Sequence, residues 1–271
     1  MDYAQALALG TLQGLAEFLP ISSSGHLAIL SALFGLKGAG DGALFEVLLH
    51  IGSAAAIMIV YWPRISGILR VMHCFLMPWT WRGRSADPSF RMATLVLLGS
   101  VPAGVVGLTW GSEIEALFGA TKFIGWMLLV TGGFLLATRA LRPKEGALTA
   151  GRAFFVGCVQ AVAVVPGISR SGSTICSGLA SGLRRETAGE FSFLLGLVAI
   201  VGANLLEIPK LSAAFAEGGS LQLGPVLLGC GAAFVVSWIS LRWLLRFVAK
   251  GQLWVFGPYC LLAGAATVLW M

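Results

Sequence analysis

Long apolar stretches alternate with short polar ones along the whole chain. Six apolar segments each have the length that a helix needs to cross a bilayer, roughly 17–25 residues. They cover residues 44–62, 92–111, 123–141, 187–208, 223–246 and 253–271. Two further apolar segments, 3–34 and 152–182, are interrupted near the middle by proline and polar residues. The pattern predicts an all-α polytopic membrane protein.

The two interruptions resemble one another. Residues 20–26 read PISSSGH and residues 166–172 read PGISRSG. Broken backbone at membrane depth is tolerated only where it is buried in protein or lines a watery cavity. We therefore expect both segments to be re-entrant helical hairpins, which adds two hairpins to the six transmembrane helices.

The distribution of charge supports this topology. The chain is 57% hydrophobic and 11% charged, whereas soluble domains carry about 25% charged residues. If segment 3–34 enters and returns, all but four of the 18 basic residues lie on the inner side. The exceptions are Lys37, Lys122, Lys210 and Arg170. The pattern predicts a plasma-membrane protein with both termini outside, and the net charge of +6 is then no sign of nucleic-acid binding.

The two halves of the chain also align. Gln13 and Ser24–Gly25 match Gln160 and Ser171–Gly172 at an offset of 147; Glu46 and Gly52 match Glu190 and Gly196 at 144; Pro63 matches Pro209 at 146. Chance matching of common residues is the alternative. Each half holds a hairpin and three spans, so the second copy would run inverted, as in transporters whose broken helices meet near the midplane. We expect one membrane domain, 1–271, with repeats at about 1–141 and 152–271.

Polar side chains of two kinds concentrate in the hairpins. The first hairpin carries a carboxylate, an amide, a histidine and hydroxyls: Gln13, Glu17, Ser22, Ser23, Ser24, Gly25 and His26. The second carries an arginine among hydroxyls and glycines: Ser169, Arg170, Ser171, Gly172, Ser173 and Thr174. An arginine beside a broken helix end is suited to binding an anion. Purely structural alternatives stay open. Glu17 snorkels to the membrane surface or caps a neighbouring hairpin, His26 is an ordinary core histidine, and Arg170 pairs with Glu17 only to stabilise the fold.

Together the two tips favour phosphoryl transfer on a lipid diphosphate. In one mechanism Ser23 attacks phosphorus, and in the other water attacks and the serines only bind oxygen atoms. His26 is the expected proton carrier because histidine titrates nearest neutral pH. Glu17 would orient His26 or hold a metal ion. A carrier that flips a polyprenyl phosphate by alternating access is the competing function.

The sequence is similar to the bacterial undecaprenyl-diphosphate phosphatases. QGLAEFLPISSSGH resembles their first signature and PGISRSGST their second, and FEVLLHIGS and EFSFLL extend the similarity. The resemblance implies hydrolysis of undecaprenyl diphosphate to undecaprenyl phosphate, recycling of this cell-wall lipid carrier, and resistance to bacitracin. It implies a site that opens to the periplasmic face and a divalent cation, magnesium or calcium; a homodimer is left open. Gln13 stands where many members have glutamate, so Glu17 is the one carboxylate of that pair.

Overall fold

Twelve α-helices make up most of the described part of the chain. The computed structural model describes residues 2–35, 41–76, 86–141, 144–214 and 222–271. Within these residues the helices are α1 Tyr3–Phe18, α2 Ser23–Leu33, α3 Asp41–Val60, α4 Trp62–Leu76, α5 Pro88–Thr109, α6 Gly111–Leu117, α7 Thr121–Ala137, α8 Ala150–Val162, α9 Arg170–Ala180, α10 Arg185–Ala214, α11 Leu223–Lys250 and α12 Gly257–Trp270. Lys37, Arg82, Arg84 and Arg142, whose sides are predicted above, lie outside the described residues.

The prediction of an all-helical membrane protein is confirmed. Five of the described helical segments are long and apolar enough to cross a bilayer, and a bent pair could be a sixth: Pro88–Thr109, Thr121–Ala140, Arg185–Pro209, Leu223–Lys250, Leu253–Trp270 and the pair Leu44–Val60 with Trp62–Met72. The bend in that pair is 91°. A single span is predicted at 44–62, whereas in the structure α3 ends at Val60 and the chain turns sharply into α4.

Capping side chains mark the starts of three helices, and a glycine follows the end of α11. Asp2 caps α1 with a side-chain hydrogen bond to the backbone N–H of Gln5, and Thr149 caps α8 in the same way. Asp87 caps α5, whose first residue is Pro88. Proline fits this first position because its missing N–H would have no partner there. α11 ends at Gly251, whose φ of 68° lies in the left-handed region that glycine adopts without strain.

Two pairs of helices, α1–α2 and α8–α9, are each separated by a short break. Tyr3 at the start of α1 packs against Gly224 at the start of α11. By contrast, the N–H of Gly146, just before α8, donates to the carbonyl of Gly182, just after α9. That second region lies at the other end of α11, because Arg185 donates to the carbonyl of Ala249. The two pairs therefore start from opposite ends of the bundle.

The first helix of each pair packs against a long helix from the other half of the chain. α1 from the first half packs along α11 from the second, and α8 from the second packs along α5 from the first. Both crossings are glycine to glycine: a Cβ on Gly10 would collide with the backbone of Gly229, and one on Gly157 with that of Gly99. Small residues at both crossings let the backbones approach closely.

Candidate functional site

The breaks of the two helix pairs meet inside the bundle. The Ser171 hydroxyl at the start of α9 donates to the carbonyl of Phe18 at the end of α1, at 3.2 Å. A Cβ on Gly25 would lie 3.1 Å from the Cα of Gly167, so the two breaks are in backbone contact. The inverted repeat predicts that the tips of the two hairpins meet, and in the structure the two breaks are in contact.

Serine side chains cap the helices that follow both breaks. The Ser22 hydroxyl accepts a hydrogen bond from the N–H of Gly25 at 3.3 Å, and the Ser169 hydroxyl accepts one from the N–H of Gly172 at 3.1 Å. Ser22 has a φ of 70°, which is rare for a residue with a side chain and costs roughly 1–3 kcal/mol. Such strain is typical of functional sites, and the two helix N-termini favour an anion between them.

A pocket of about 210 Å³ lies where the breaks meet. Seven of the residues that the sequence analysis singles out line it: Glu17, Ser22, Ser23, Ser24, Ser169, Arg170 and Ser171. The remaining pocket walls are mostly apolar, contributed by α1, α3, the second break and α10. Hydroxyls and one guanidinium thus face one carboxylate across a small cavity.

Glu17 is the centre of the polar contacts in this pocket. Its Oε1 pairs with the guanidinium of Arg170. Its Oε2 accepts hydrogen bonds from the Ser23 hydroxyl at 2.7 Å and from the Gln13 amide at 3.1 Å. The Glu17 side chain is 3% exposed, and a buried carboxylate is tolerated only with such compensation. The Ser23–Glu17 contact is the arrangement of a nucleophile and its base.

The Arg170 guanidinium has little free space. It lies against Gly196 of α10, where a Cβ would collide with it. Its side chain is 20% exposed. Arg170 does pair with Glu17, as the structural alternative expects. Arg170 also lines the pocket, so the pair does not prevent it from binding an anion there.

His50 belongs to this site, although the sequence analysis gives it no role. It lies on α3, and its Nε2 is 3.5 Å from Glu17 Oε2. Its Nδ1 is 2.7 Å from the carbonyl of Glu46. Two signals in the sequence point to it: His50 lies in FEVLLHIGS, one of the stretches that carry the family resemblance, and Glu46 and His50 stand four residues apart in an apolar span, where ionisable residues are expensive and usually functional.

His26 lies elsewhere. Its Nδ1 is 2.9 Å from the carbonyl of Ser22 and its Nε2 is 2.8 Å from the Tyr259 hydroxyl, with the two rings stacked. It is absent from the residues that line the pocket. The expectation that Glu17 orients His26 does not match the geometry, because the His50 ring occupies the place beside Glu17.

Four other predicted residues lie behind the pocket wall. Gln13 is buried and donates to Glu17 and, at 3.3 Å, to Ser53. The N–H groups of Gly25 and Gly172 are taken by the serine caps. The Thr174 hydroxyl turns back to the carbonyl of Arg170 at 2.8 Å. These residues support the site from outside it.

A larger cavity of about 880 Å³, here called the vestibule, adjoins the pocket. It is lined by residues of α2, α3, α5, α6, the start of α7 and α10, together with residues of the second break and of the turns after α2 and α6. Ser24, Val47, His50, Val164 and Ala203 line both cavities. Its lining is mainly apolar, with Glu46, Glu115 and Glu207 among the polar members. The arrangement suits a molecule with a small anionic end and a long apolar body.

The pocket residues do not fit a divalent cation held by protein groups alone. Among the described residues that line the pocket, Glu17 is the one carboxylate, and both of its oxygens are engaged by Arg170, Ser23 and Gln13. No group of three or more His, Cys, Asp or Glu side chains within the described ranges is placed to hold a metal ion. Magnesium and calcium take several oxygen ligands.

Comparisons with known proteins agree with one another. Residues 6–266 match the model of the family described as bacitracin resistance protein BacA. The chain is 40% identical to an undecaprenyl-diphosphatase of Desulfatibacillum aliphaticivorans, with 99% of each chain covered. It is 41% identical to an undecaprenyl-diphosphatase of Desulfosudis oleivorans, covering 100% of this chain and 99% of the other. It is 38% identical to that of Rhodopirellula baltica, covering 99% and 98%.

Proposed function

The chain belongs to the bacitracin resistance protein BacA family, and from this premise we propose that it hydrolyses undecaprenyl diphosphate to undecaprenyl phosphate and inorganic phosphate. This activity would recycle the lipid carrier of cell-wall synthesis and give resistance to bacitracin. The observation that carries the proposal is the hydrogen bond from Ser23 to Glu17 at 2.7 Å, beside Arg170. These groups lie in a pocket that opens into an apolar vestibule.

The geometry favours Ser23 as the nucleophile and Glu17 as its base. Ser23 Oγ attacks the terminal phosphorus while Glu17 takes the hydroxyl proton. The bond from that phosphorus to the bridging oxygen breaks, and the lipid phosphate leaves with the electron pair and the proton from Glu17. Water then attacks the phosphoserine, Glu17 passes the water proton to Ser23 Oγ, and inorganic phosphate is released. Direct attack by water on the diphosphate is the alternative, with the same base.

The remaining pocket groups bind the negative charge. Arg170 offers a planar fork of donors to phosphate oxygens, and the N-termini of α2 and α9 add partial positive charge. The hydroxyls of Ser22, Ser24 and Ser169 would complete the phosphate shell, and that of Ser171 would join it on leaving the Phe18 carbonyl. Positioning and charge stabilisation of this kind are the main contributions to catalysis of phosphoryl transfer. A magnesium or calcium ion stays a prediction from the family resemblance, and no step here depends on it.

The topology follows from where the two breaks and the basic residues lie. We propose that α1–α2 and α8–α9 are re-entrant hairpins from opposite faces, related by an inverted repeat. The exchanged packing through Gly10–Gly229 and Gly157–Gly99 supports this. The ends opposite the vestibule carry most of the described basic side chains, among them Arg64, Arg91, Arg139, Lys144, Arg152, Arg184 and Arg185. By the positive-inside rule the vestibule faces the periplasm.

Among the described residues, the opposite half of the repeat has no cavity that corresponds to the vestibule. Vestibule residues Val47 and His50 correspond at the offset of 144 to Phe191 and Leu194. Both are buried in a packed apolar cluster, with 1% and 3% of their surface exposed. The counterpart of the vestibule is therefore filled, as it would be in one state of an alternating-access carrier too, so the Ser23–Glu17 hydrogen bond, and not the cavities, favours the enzyme.

Phosphate release by the purified protein in detergent tests the function. The expected result is one inorganic phosphate for each undecaprenyl diphosphate consumed, with undecaprenyl phosphate as the lipid product. Lipid transfer across vesicle membranes without phosphate release would instead support a carrier and refute the enzyme.

A further inference from the structure

We propose that His50 binds the lipid-side phosphate of the diphosphate, at the junction between the pocket and the vestibule. This inference rests on the proposed function, because it concerns the same substrate. It assigns to His50 a direct contact with substrate, separate from the terminal phosphate contacts of Arg170 and the serines.

The position of His50 is the first argument. Five of the described residues line both cavities, and three of these are apolar: Val47, Val164 and Ala203. The other two are His50 and Ser24. His50 therefore supplies the nitrogen donor at the passage from the pocket to the vestibule.

The orientation of the ring is the second argument. Nδ1 lies 2.7 Å from the carbonyl of Glu46, one turn earlier on α3. A carbonyl only accepts, so Nδ1 carries a proton and the ring is fixed with Nε2 toward the pocket. At 3.5 Å from Glu17 Oε2, Nε2 is beyond the usual N–H···O hydrogen-bond distance. Glu17 Oε2 already accepts from Ser23 and Gln13, which leaves Nε2 available to a ligand.

The connectivity of the substrate is the third argument. The terminal phosphorus must reach Ser23, which lines the pocket but not the vestibule, while the polyprenyl chain needs the apolar volume of the vestibule. The second phosphate joins these two parts and therefore lies between them, at His50. Both ring nitrogens then face acceptors, the arrangement of an imidazolium, and hydrogen bonds to charged groups are the strong ones.

Binding of two lipid-free probes separates the contacts. Methylenediphosphonate, which cannot be hydrolysed, carries both phosphorus groups, and inorganic phosphate carries one. For His50→Ala we expect the dissociation constant of the diphosphonate to rise by about tenfold or more, as for loss of a hydrogen bond to a charged group. That of inorganic phosphate should stay near the wild-type value. His50→Gln, which keeps a donor, should recover part of the affinity.

Ile51→Ala is the matched control. Ile51 follows His50 on α3, is 47% exposed on the outer surface of the bundle and lines neither cavity. Unchanged diphosphonate binding by His50→Ala would overturn the proposal, and so would an equal loss for both probes. If turnover fell while both affinities held, His50 would act only by positioning Glu17, which also overturns it. Since binding is read without turnover, a wild type that releases no phosphate would refute the proposed function without touching this test.

Discussion

Replacing Gly196 by alanine tests the place of Arg170 without touching any polar group. Gly196 lies on α10, and its missing side chain leaves the space that the Arg170 guanidinium occupies. A Cβ built there would overlap Nη1 of Arg170 and lie 2.7 Å from its Cζ. Because the obstacle is the far end of a flexible side chain, the backbone can stay and the guanidinium must move.

The size of the effect follows from that distance. Non-bonded heavy atoms pack at about 3.5–4.0 Å, and Nη1 is the atom that overlaps, so the guanidinium has to shift by roughly 2 Å. A misplacement of about 1 Å in an active site can cost up to about a hundredfold in rate. We expect kcat/KM to fall between about tenfold and a hundredfold, a loss of roughly 1.4–2.7 kcal/mol of transition-state stabilisation. Alanine is the better helix former by up to about 1 kcal/mol, which offsets part of the cost of displacing Arg170 from buried Glu17, so the unfolding midpoint should change little.

The assay is phosphate release from undecaprenyl diphosphate in detergent, with the thermal unfolding midpoint of each variant measured alongside. Gly202→Ala is the matched control, because Gly202 lies on the same helix and a Cβ there meets no atom within 4 Å. The control should keep wild-type turnover. Full activity of Gly196→Ala, with an unchanged unfolding midpoint, would show that the position of the Arg170 guanidinium does not matter for the reaction.

Three further predictions address the nucleophile, the topology and the cation. Ser23→Ala should lose more than about tenfold in turnover, or at least ~1.4 kcal/mol, and a smaller loss would exclude covalent catalysis through Ser23. In a cysteine-free background, single cysteines at Asp2 and Gly35 should react with an impermeant reagent from outside and one at Thr149 from inside; labels for Asp2 and Gly35 on opposite faces would make the first segment a full crossing. If a cation is required as the resemblance implies, a chelator should stop phosphate release and magnesium or calcium restore it, whereas activity in excess chelator would contradict that requirement.

The main features of the fold could be predicted from the sequence because membrane spans have a strong physical signal. The six apolar segments correspond to α3, α5, α7, α10, α11 and α12. The two polar interruptions also mark true breaks, since serines and proline cannot face lipid. The apolar pattern does not predict α4, because its apolar and charged residues alternate at helical spacing and form no continuous apolar run. The bend of 91° before it falls next to Pro63, the second residue of α4, and proline disfavours helical backbone in the residue before it.

The site could be predicted in part for a similar reason. Glu17, Ser23 and Arg170 lie at broken helix ends, where the sequence itself is unusual. His50 and Gly196 lie inside ordinary apolar helices, and only folding brings them to the pocket. The expected Glu17–His26 contact fails because a helical start at Ser23 turns the His26 ring back to its own first turn and toward Tyr259. A catalytic role for His26 stays a prediction.

A double-mutant cycle on Glu17 and Arg170 tests the central claim most directly, namely that two broken helices build one catalytic site. The variants are Glu17→Gln, Arg170→Lys and both together, each assayed for phosphate release. Residues that act as a unit are not additive. We expect the turnover of each single variant to fall by about a hundredfold or more, as when one preorganised transition-state contact is removed. The double variant should turn over no more slowly than the less active of the two single variants. Losses that multiply would mean that the two side chains act independently and would contradict a shared site, as would near-normal turnover in either single variant.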